Sequence, residues 1–329
     1  MEKPARKDNH TNDLSGLQEV SDTKKRRTRG LEQNAKDVLL PGRLLYNVAG
    51  ENVTRVRVSI NTKFHVYSWN LLAEEYYDDI AFPMTHVSPM DRVIAAVNKI
   101  RVSRASMIFL QEVGEMWLNA LSHIPDYSLF THYYAKHQIA ILIHKDVFST
   151  YSPTVVFHPV RSLFRDGDAD LISAHVYSDR TYAKVTLHVG KQAINIWNVH
   201  VPMRINVPYV MKTLYENLHD IVARGDIVIG DLNATPERMR LQKHVLRSSF
   251  LCPTNQNNRV GHEFTGEIDG VLYHKLYNNA IDSFVEDEDA EEIKTKIIPN
   301  KVVPSDHIPF HVVLNLTEWC RLFKEDVFS

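Results

Sequence analysis

The stretch IVIGDLNA, residues 227–234, joins a strand-like run to two polar side chains, Asp231 and Asn233. A short apolar run rich in β-branched residues is typical of a buried strand. Residues two apart in an extended segment point to the same side, so the Asp231 carboxylate and the Asn233 amide are expected to face one pocket. An ordinary Asx turn is the alternative interpretation of the same residues.

The same pattern, a strand-like run followed by a polar side chain, recurs along the chain. The other examples are Asn70 in YSWN, Glu112 in FLQE, His200 in WNVH, Asp269 in EIDG and Asp306 with His307 in SDH. Polar groups at strand ends of an α/β sheet converge on one ligand. Carboxylate and amide oxygens suit Mg²⁺, with Mn²⁺ as an alternative ion. The chemistry indicated is metal-assisted attack of water on a phosphodiester.

Each of these polar residues has a predicted role and a simpler alternative. Glu112 is a candidate cation ligand or a solvated strand cap, and Asn70 is a candidate ligand or a turn residue. Asp231 is expected to accept the proton of the attacking water, and Asn233 to hold a phosphate oxygen. His200 is expected to donate to a non-bridging phosphate oxygen, or to be a satisfied strand-end imidazole.

His307 is predicted to stabilise the charge that develops on the phosphate. An imidazole in this role needs a carboxylate behind it to fix its tautomer. Asp269 lies within an otherwise apolar run, where a carboxylate is costly unless it has a partner. Asp269 is therefore the candidate partner of His307, and Asp306 beside it is a further candidate metal ligand.

Composition sets the limits of the functional interpretation. The chain has 329 residues, 44% of them hydrophobic, and a formal net charge of −2, so any nucleic-acid contact must be local or carried by bound cations. Only Cys252 and Cys320 are present, which favours a reducing compartment over a disulfide framework. No apolar run approaches the ~20 residues of a membrane span. We therefore expect a cytoplasmic protein with no membrane partner.

The chain divides into a tail and one large domain. Residues 1–45 are polar without a structural period and are predicted to be a disordered basic tail, followed by a catalytic domain over residues 46–329. The basic cluster at residues 24–29 either only aids solubility or serves as a nuclear-import or RNA-tethering arm.

Strand and helix patterns alternate irregularly within this domain. Strands are predicted over residues 64–70, 106–113, 138–144, 182–189, 193–199 and 226–232, and helices over 89–102, 207–222 and 236–246. Mostly strands follow residue 260, which favours a layered α/β sandwich over a βαβ barrel. The acidic run at residues 286–292 is expected to be a solvated loop that points away from the site. No P-loop, GxSxG or HExxH motif is present.

Taken together, the ordered motifs WN, LQE, NVH, GDLN, IDGV and SDH resemble those of the endonuclease/exonuclease/phosphatase superfamily, over residues 64–316. The resemblance implies a DNase I-like four-layer α/β sandwich, with two central mixed sheets flanked by helices. It also implies that Glu112 and Asn70 bind Mg²⁺, with Asp231, Asn233, Asp306 and His307 around a second cation or the phosphate. In that family pattern Asp231 is the general base or positions the nucleophile, and Asp269 supports His307.

A narrower resemblance is to the nocturnin/Angel-type polyadenylate deadenylases. It is carried by YSWNLLAEEYY, by SPMDRV with its Arg92, and by IIPNKVVPSDHIPF. This resemblance implies a 3′-to-5′ exoribonuclease that acts on single-stranded or polyadenylated RNA, with Arg92 as a substrate contact. Lys136, in a stretch that departs from the family pattern, is a candidate phosphate contact, with an exposed lysine as the alternative interpretation. No leucine-rich repeat precedes the domain, so contact with a deadenylase scaffold through one is not expected.

The segment around Lys136 departs from the deadenylase pattern. Deadenylases usually carry an Asp-Gly-Cys-Ala run where this chain has AKHQIAILI. The departure bears on adenine selection more than on hydrolysis. Two alternatives are therefore open: the same site acts on 2′,5′-oligoadenylate, another nucleotide phosphoester or DNA, or the chain is a non-enzymatic RNA-binding relative.

Overall fold

The structure is a computed structural model that describes residues 63–77, 82, 87–132, 138–160, 180–202, 208–250, 252–259 and 262–326. The predicted tail, residues 1–45, and Lys136 lie outside these described residues.

Strands provide most of the described framework. They are β1 (Lys63–Asn70), β2 (Met107–Val113), β3 (Tyr127–Thr131), β4 (Gln138–His144), β5 (Thr154–Pro159), β6 (Thr181–Val189), β7 (Gln192–His200), β8 (Ile227–Asp231), β9 (Val245–Arg247), β10 (Asn255–Arg259), β11 (His262–Gly266), β12 (Asp269–His274), β13 (Ile281–Phe284) and β14 (Phe310–Asn315).

Helices connect and cover these strands. They are α1 (Pro89–Ser103), α2 (Glu115–Leu121), α3 (Lys145–Tyr151), α4 (Pro208–Ala223), α5 (Pro236–Met239), α6 (Asp287–Thr295) and α7 (Leu316–Asp326), with short 3₁₀ turns at Glu74–Tyr76 and Lys275–Tyr277. The start of α1 follows its sequence signals, because the Ser88 hydroxyl accepts from the Asp91 N–H and Pro89 occupies the first turn.

Two six-stranded mixed sheets form the centre of the fold. The first has the order β13-β14-β1-β2-β4-β3, and the second has the order β5-β6-β7-β8-β12-β9. In the first sheet β1 runs parallel to β2 and antiparallel to β14. In the second, β7 runs parallel to β8, which is antiparallel to β12. The predicted pair of central mixed sheets is confirmed.

Apolar side chains from both sheets meet in one buried core. Phe109 and Ile141 of the first sheet share this core with Val185, Ile196 and Ile229 of the second, and all five are fully buried. Burial of such side chains is the main favourable term in folding, at about 25 cal/mol per Å² of apolar surface. The two sheets therefore pack face to face.

The outer face of the first sheet is covered by helices. Ile108 and Leu110 of β2 pack with Ile100 of α1 and Trp117 of α2 in a second buried cluster. Successive residues of β2 alternate between the two cores, as the period of a strand requires. On the other side of the molecule α4 packs against β8 and β12. These contacts produce the predicted four layers.

Two local predictions are wrong. The helix expected over residues 236–246 ends at Met239, because Arg240 takes a left-handed φ of 50° and the chain then enters β9, which pairs with β12. Tertiary strand pairing here overrides the local helical pattern.

The acidic run forms a helix instead of a solvated loop. Its Asp289 is almost fully buried and pairs with Lys99 of α1, Nζ to Oδ1 at 2.6 Å. Acidic residues in the first turn of α6 also suit the positive end of the helix dipole, and Ile293 anchors the helix in the core.

Candidate functional site

Four of the predicted site residues lie at one edge of the two sheets. Asn70 and His200 end β1 and β7, Asp231 ends β8, and Glu112 lies next to the end of β2. Strand register fixes two of the neighbours of Asp231, since it stands opposite His200 on one side and Asp269 on the other. The convergence follows from parallel strands ending at a common edge.

The Asp231 carboxylate is the centre of the site. Its Oδ2 accepts from Asn70 Nδ2 at 3.0 Å and lies 3.5 Å from His200 Nε2 and 3.8 Å from His307 Nε2. Its Oδ1 accepts from the Asn233 backbone N–H at 2.9 Å. Asp231 therefore joins residues from both sheets and from the SDH segment.

Unusual backbone conformations aim two of these side chains. Glu112 and Asn233 have φ values of 53° and 49°, in the left-handed region that non-glycine residues seldom adopt. The pairing of β2 with β4 also shifts register between Leu110 and Val113, which turns Glu112 out of the strand's alternation. Backbone strain of this kind clusters at functional sites.

Glu112 faces the second sheet across the site. Its Oε2 accepts from the Ala73 N–H at 3.2 Å, and its Oε1 lies 3.5 Å from His200 Nε2. The imidazole of His200 is thus placed between the carboxylates of Glu112 and Asp231.

Gly230 allows β7 and β8 to approach closely beside the site. Its φ is 140°, and a Cβ added there would lie 2.2 Å from the Val199 carbonyl oxygen. Only glycine fits this position, which accounts for the glycine of the GDLN motif.

His307 is held by the carboxylate that the sequence indicated. Its Nδ1 lies 2.9 Å from Asp269 Oδ2, and its Nε2 lies 3.9 Å from Asp306 Oδ1. Burial opposes the charged imidazole, but the carboxylates of Asp269, Asp231 and Asp306 outweigh it and hold the pKa of His307 well above its ordinary value.

The carboxylates of the site are buried close to one another. Burial is the main cause that raises the pKa of Asp231, with a further contribution from Asp269. Burial also raises the pKa of Asp306 to about 6, and the nearby Glu112 adds to this shift. Buried like charges are costly without a cation to offset them.

The donor set therefore fits a hard divalent cation. Atoms of Asp231, Asp269 and His307 lie within 4.8 Å of one another, as a metal site requires. The facing atoms of Asp269 and His307 already share a hydrogen bond, so a proton fits between them better than a metal. The oxygens of Asn70, Glu112, Asp231 and Asp306 are the donors that remain, and such ligands suit Mg²⁺.

Arg92 does not lie where a substrate contact requires it. It is fully buried and donates from Nε to Pro304 O at 2.7 Å and from Nη2 to Leu71 O and Leu72 O at 2.8 and 2.7 Å. Burial lowers the pKa of Arg92 to about 10, so the guanidinium stays charged at neutral pH. The expected substrate contact is replaced by contacts to the backbone.

Several residues near the site were not singled out from the sequence. Ser305 donates from Oγ to Asn70 O at 2.6 Å, and Gln111 donates from Nε2 to Asn198 Oδ1 at 2.7 Å. All three side chains lie inside motifs already noted, SDH, LQE and NVH, so their positions were a usable signal. Arg247, which donates to the carbonyl oxygens of Ala234 at 2.6 Å and Asp269 at 3.1 Å, lies in no such motif, and no local pattern marks it.

Comparison with solved structures identifies the fold. TDP2 from D. rerio, in complex with single-strand DNA product, matches with a TM-score of 0.55 at 12% identity, over 77% of this chain and 99% of that chain. TDP2 from C. elegans matches with a TM-score of 0.53 at 15% identity, over 96% and 97% of the two chains. ANGEL2, described as a 2′,3′-cyclic phosphatase, matches with a TM-score of 0.57 at 14% identity, over 77% and 95%.

These matches show the fold, which is the DNase I-like four-layer α/β sandwich that the motifs predicted. No protein-family model and no curated protein sequence matches this chain. Within the described part of the chain, no helix has the length and apolar character of a membrane span.

Proposed function

We propose that this chain is a Mg²⁺-dependent phosphodiesterase, with Mn²⁺ as an alternative ion. The observation that carries the proposal is the meeting at Asp231 Oδ2 of one amide and two imidazoles, at 3.0, 3.5 and 3.8 Å. A structural carboxylate needs one or two such partners, whereas three converging groups from separate segments suit a reaction centre.

In this proposal the oxygens of Asn70, Glu112 and Asp306 hold the cation together with Asp231. When bound, such a cation polarises a phosphate oxygen and makes water a better nucleophile. Asn70 contributes in a second way, because its amide N–H group orients the Asp231 carboxylate.

Asp231 is the group proposed to take the proton of the attacking water. The Asn70 amide and the Asn233 N–H hold its carboxylate in a fixed orientation for this role. His307, kept protonated by Asp269, places a positive charge beside the phosphate as negative charge develops there. His200 and Asn233 are proposed to bind non-bridging phosphate oxygens.

The proposed substrate is single-stranded or polyadenylated RNA, hydrolysed from its 3′ end. Its support is the narrower sequence resemblance, together with a fold shared with ANGEL2 and with TDP2 in complex with single-strand DNA product. The departure around Lys136 favours a second candidate, in which the same site hydrolyses a different nucleotide phosphoester. The cytoplasmic location, with nuclear entry through residues 24–29, stays a prediction.

A substrate panel tests both candidates. The purified chain is incubated with oligoadenylate, mixed-sequence RNA, 2′,5′-oligoadenylate, a 2′,3′-cyclic nucleotide and single-stranded DNA, each with Mg²⁺, with Mn²⁺ and with chelator. We expect the highest kcat/KM on oligoadenylate, since specificity is a ratio of transition-state stabilisation. Preference for another substrate supports the second candidate. Hydrolysis that persists in Asp231→Asn or with chelator contradicts the proposed enzyme.

A further inference from the structure

Two arginines are placed in matching ways on opposite sides of the site. Arg92 belongs to the first turn of α1, beside the first sheet, and Arg247 is the last residue of β9, at the edge of the second. Each donates to backbone carbonyls of two segments that are far apart in sequence. We call Arg92 and Arg247 the two arginine clamps.

Arg92 joins the two segments that carry Asn70 and Asp306. Its acceptors are Leu71 and Leu72, directly after Asn70, and Pro304, two residues before Asp306. The guanidinium lies 4.3 Å from the ring of Tyr77 and 5.3 Å from that of Trp117, so its plane is fixed by packing.

Arg247 joins the two segments that carry Asn233 and Asp269. Its Nη1 donates to Ala234 O at 2.6 Å, directly after Asn233. Its Nη2 donates to Glu267 O at 2.9 Å and to Asp269 O at 3.1 Å. The same guanidinium thus holds the segment of the phosphate-binding amide against that of the carboxylate behind His307.

A hydroxyl side chain repeats the connection made by Arg92, and a second hydroxyl holds one of the two segments joined by Arg247. Ser305 Oγ donates to Asn70 O at 2.6 Å and accepts from the His307 N–H at 3.2 Å. Thr254 Oγ1 accepts from the N–H groups of Ile268 and Asp269, both at 3.0 Å. The segments of Asn70 and Asp306 are therefore tied at two points, and the segment of Asp269 is held by Thr254 as well as by Arg247.

We propose that the two arginine clamps are positioning residues with separate tasks. Arg92 sets the geometry of the cation ligands Asn70 and Asp306, and Arg247 sets the geometry of Asn233, Asp269 and through it His307. The proposal rests on the proposed function for its second half. Arginine is required because its planar fork reaches several carbonyls at once, which the single ammonium of lysine cannot do.

The test replaces each clamp by lysine, which keeps the charge and removes the fork. Mn²⁺ affinity is measured on the full chain by electron paramagnetic resonance, and kcat and KM on oligoadenylate at saturating Mn²⁺. Arg92→Lys is expected to raise the Kd for Mn²⁺ by about 10- to 100-fold, and Arg247→Lys to leave that Kd unchanged while kcat falls by about 10- to 100-fold. Arg321→Lys is the matched control, since Arg321 pairs with Glu318 at the surface.

Equal effects of Arg92→Lys and Arg247→Lys on the Kd for Mn²⁺ overturn the proposed separation of tasks. An unchanged Kd in a folded Arg92→Lys chain overturns the first half. Should either variant fail to fold, Ser305→Ala replaces Arg92→Lys and Thr254→Val replaces Arg247→Lys. Ser305→Ala is then expected to raise the Kd for Mn²⁺, and Thr254→Val to lower kcat without changing that Kd. A lowered melting temperature with the Kd for Mn²⁺ and kcat unchanged shows a purely structural role and also contradicts the proposal.

Failure of the proposed function is separable from failure of the clamps. A wild-type chain that binds Mn²⁺ but hydrolyses no phosphodiester contradicts the proposed function. The Kd for Mn²⁺ of Arg92→Lys still tests the role of Arg92. The role of Arg247 is then tested by the NMR resonance of the proton that His307 and Asp269 share. Arg247→Lys is expected to shift or broaden that resonance, Arg92→Lys and Arg321→Lys to leave it in place, and an unmoved resonance in Arg247→Lys overturns this half.

Discussion

The side chain of Gln111 donates to that of Asn198 across the interface of the two sheets, at 2.7 Å. Both residues are fully buried, and Asn198 also donates to the carbonyls of Leu110 and Ala140. Gln111 directly precedes Glu112, and Asn198 lies two residues before His200. This amide pair therefore fixes the separation of the sheets just beneath the point where Glu112 meets His200.

Gln111→Leu is expected to lower the free energy of unfolding by about 1–3 kcal/mol, because Asn198 Oδ1 is left buried without its donor. Urea unfolding measures the change. The double variant Gln111→Leu/Asn198→Leu is the comparison, and we expect it to recover part of the loss through a favourable coupling. Strict additivity of the two single losses would show that the pair is not energetically coupled.

Asp269→Asn is expected to lower the pKa of His307, because it removes the strongest of the carboxylates that raise it. A raised histidine pKa stabilises the fold fully below the unfolded value of 6.5, and this stability is lost as pH rises through the folded pKa. The variant should therefore lose more stability at pH 6 than at high pH. NMR titration of the histidines in chelator, with urea unfolding at both pH values, gives the answer, and kcat should fall on the order of 10²- to 10⁴-fold.

The stacked pair of His65 and His311 is expected to weaken the fold in acid. Their rings share a contact of 2.7 Å between Nε2 and Nδ1, and burial lowers the pKa of His65 to about 4 and of His311 to about 3. Both stay neutral when folded but gain protons below pH 6.5 when unfolded. Stability is therefore complete above pH 6.5 and falls as pH drops toward 4.

The measurement is the pH dependence of urea unfolding in wild type and His311→Phe. The phenyl ring retains the stack on Phe284, whose ring lies 4.7 Å from that of His311. Between pH 4 and 6.5, removing one histidine should reduce the slope of the free energy of unfolding against pH by up to about 1.4 kcal/mol per pH unit. Equal slopes in the two proteins would contradict the predicted role of the pair.

Gly230→Ala is expected to destabilise the fold and displace Asp231, because the new methyl group meets the Val199 carbonyl at 2.2 Å. Gly190→Ala is a matched control, since Gly190 also has a positive φ, of 63°, but has no heavy atom within 4 Å of the added Cβ. Both variants carry the backbone strain of about 1–3 kcal/mol. The excess loss in Gly230→Ala, measured by thermal unfolding, reports the clash, and equal losses would argue against it.

Glu112→Ala is expected to reduce the rise in melting temperature that Mg²⁺ produces in wild type. A ligand that binds only the folded state stabilises by RT ln(1 + [L]/Kd), so weaker binding shortens the shift. Glu216→Ala serves as the control, because Glu216 pairs with Lys212 on the surface of α4. The same Mg²⁺ shift in Glu112→Ala and wild type would remove Glu112 from the proposed ligand set.

The sequence predicted the strands and the convergence of the site well, because both depend on local patterns. In runs such as IVIGD and MIFLQE, the apolar residues that predict a buried strand and the polar residue at its end lie within a few positions of each other. The Asp269–His307 hydrogen bond was also predictable, since a carboxylate in an apolar strand must have a partner.

What the sequence did not reveal depends on contacts between distant segments. The sequence around Asp289 predicts a solvated acidic run, and only the structure shows that Asp289 pairs with Lys99 of α1. The sequence predicts a substrate contact for Arg92, and only the structure shows that it donates to the carbonyl oxygens of Pro304 and Leu71. In each case the side chain's role is decided by a partner over 20 positions away, where no periodicity or motif points to it.

The division of the site between two sheets has a consequence during synthesis on the ribosome. β1 and β2 emerge early with Asn70 and Glu112, yet β14, which pairs with β1, and the preceding SDH segment come near the carboxyl end of the described chain. An emerging polypeptide therefore holds the proposed base Asp231 well before it holds His307. The complete site can therefore assemble only late in translation, after the SDH segment and β14 have been synthesised.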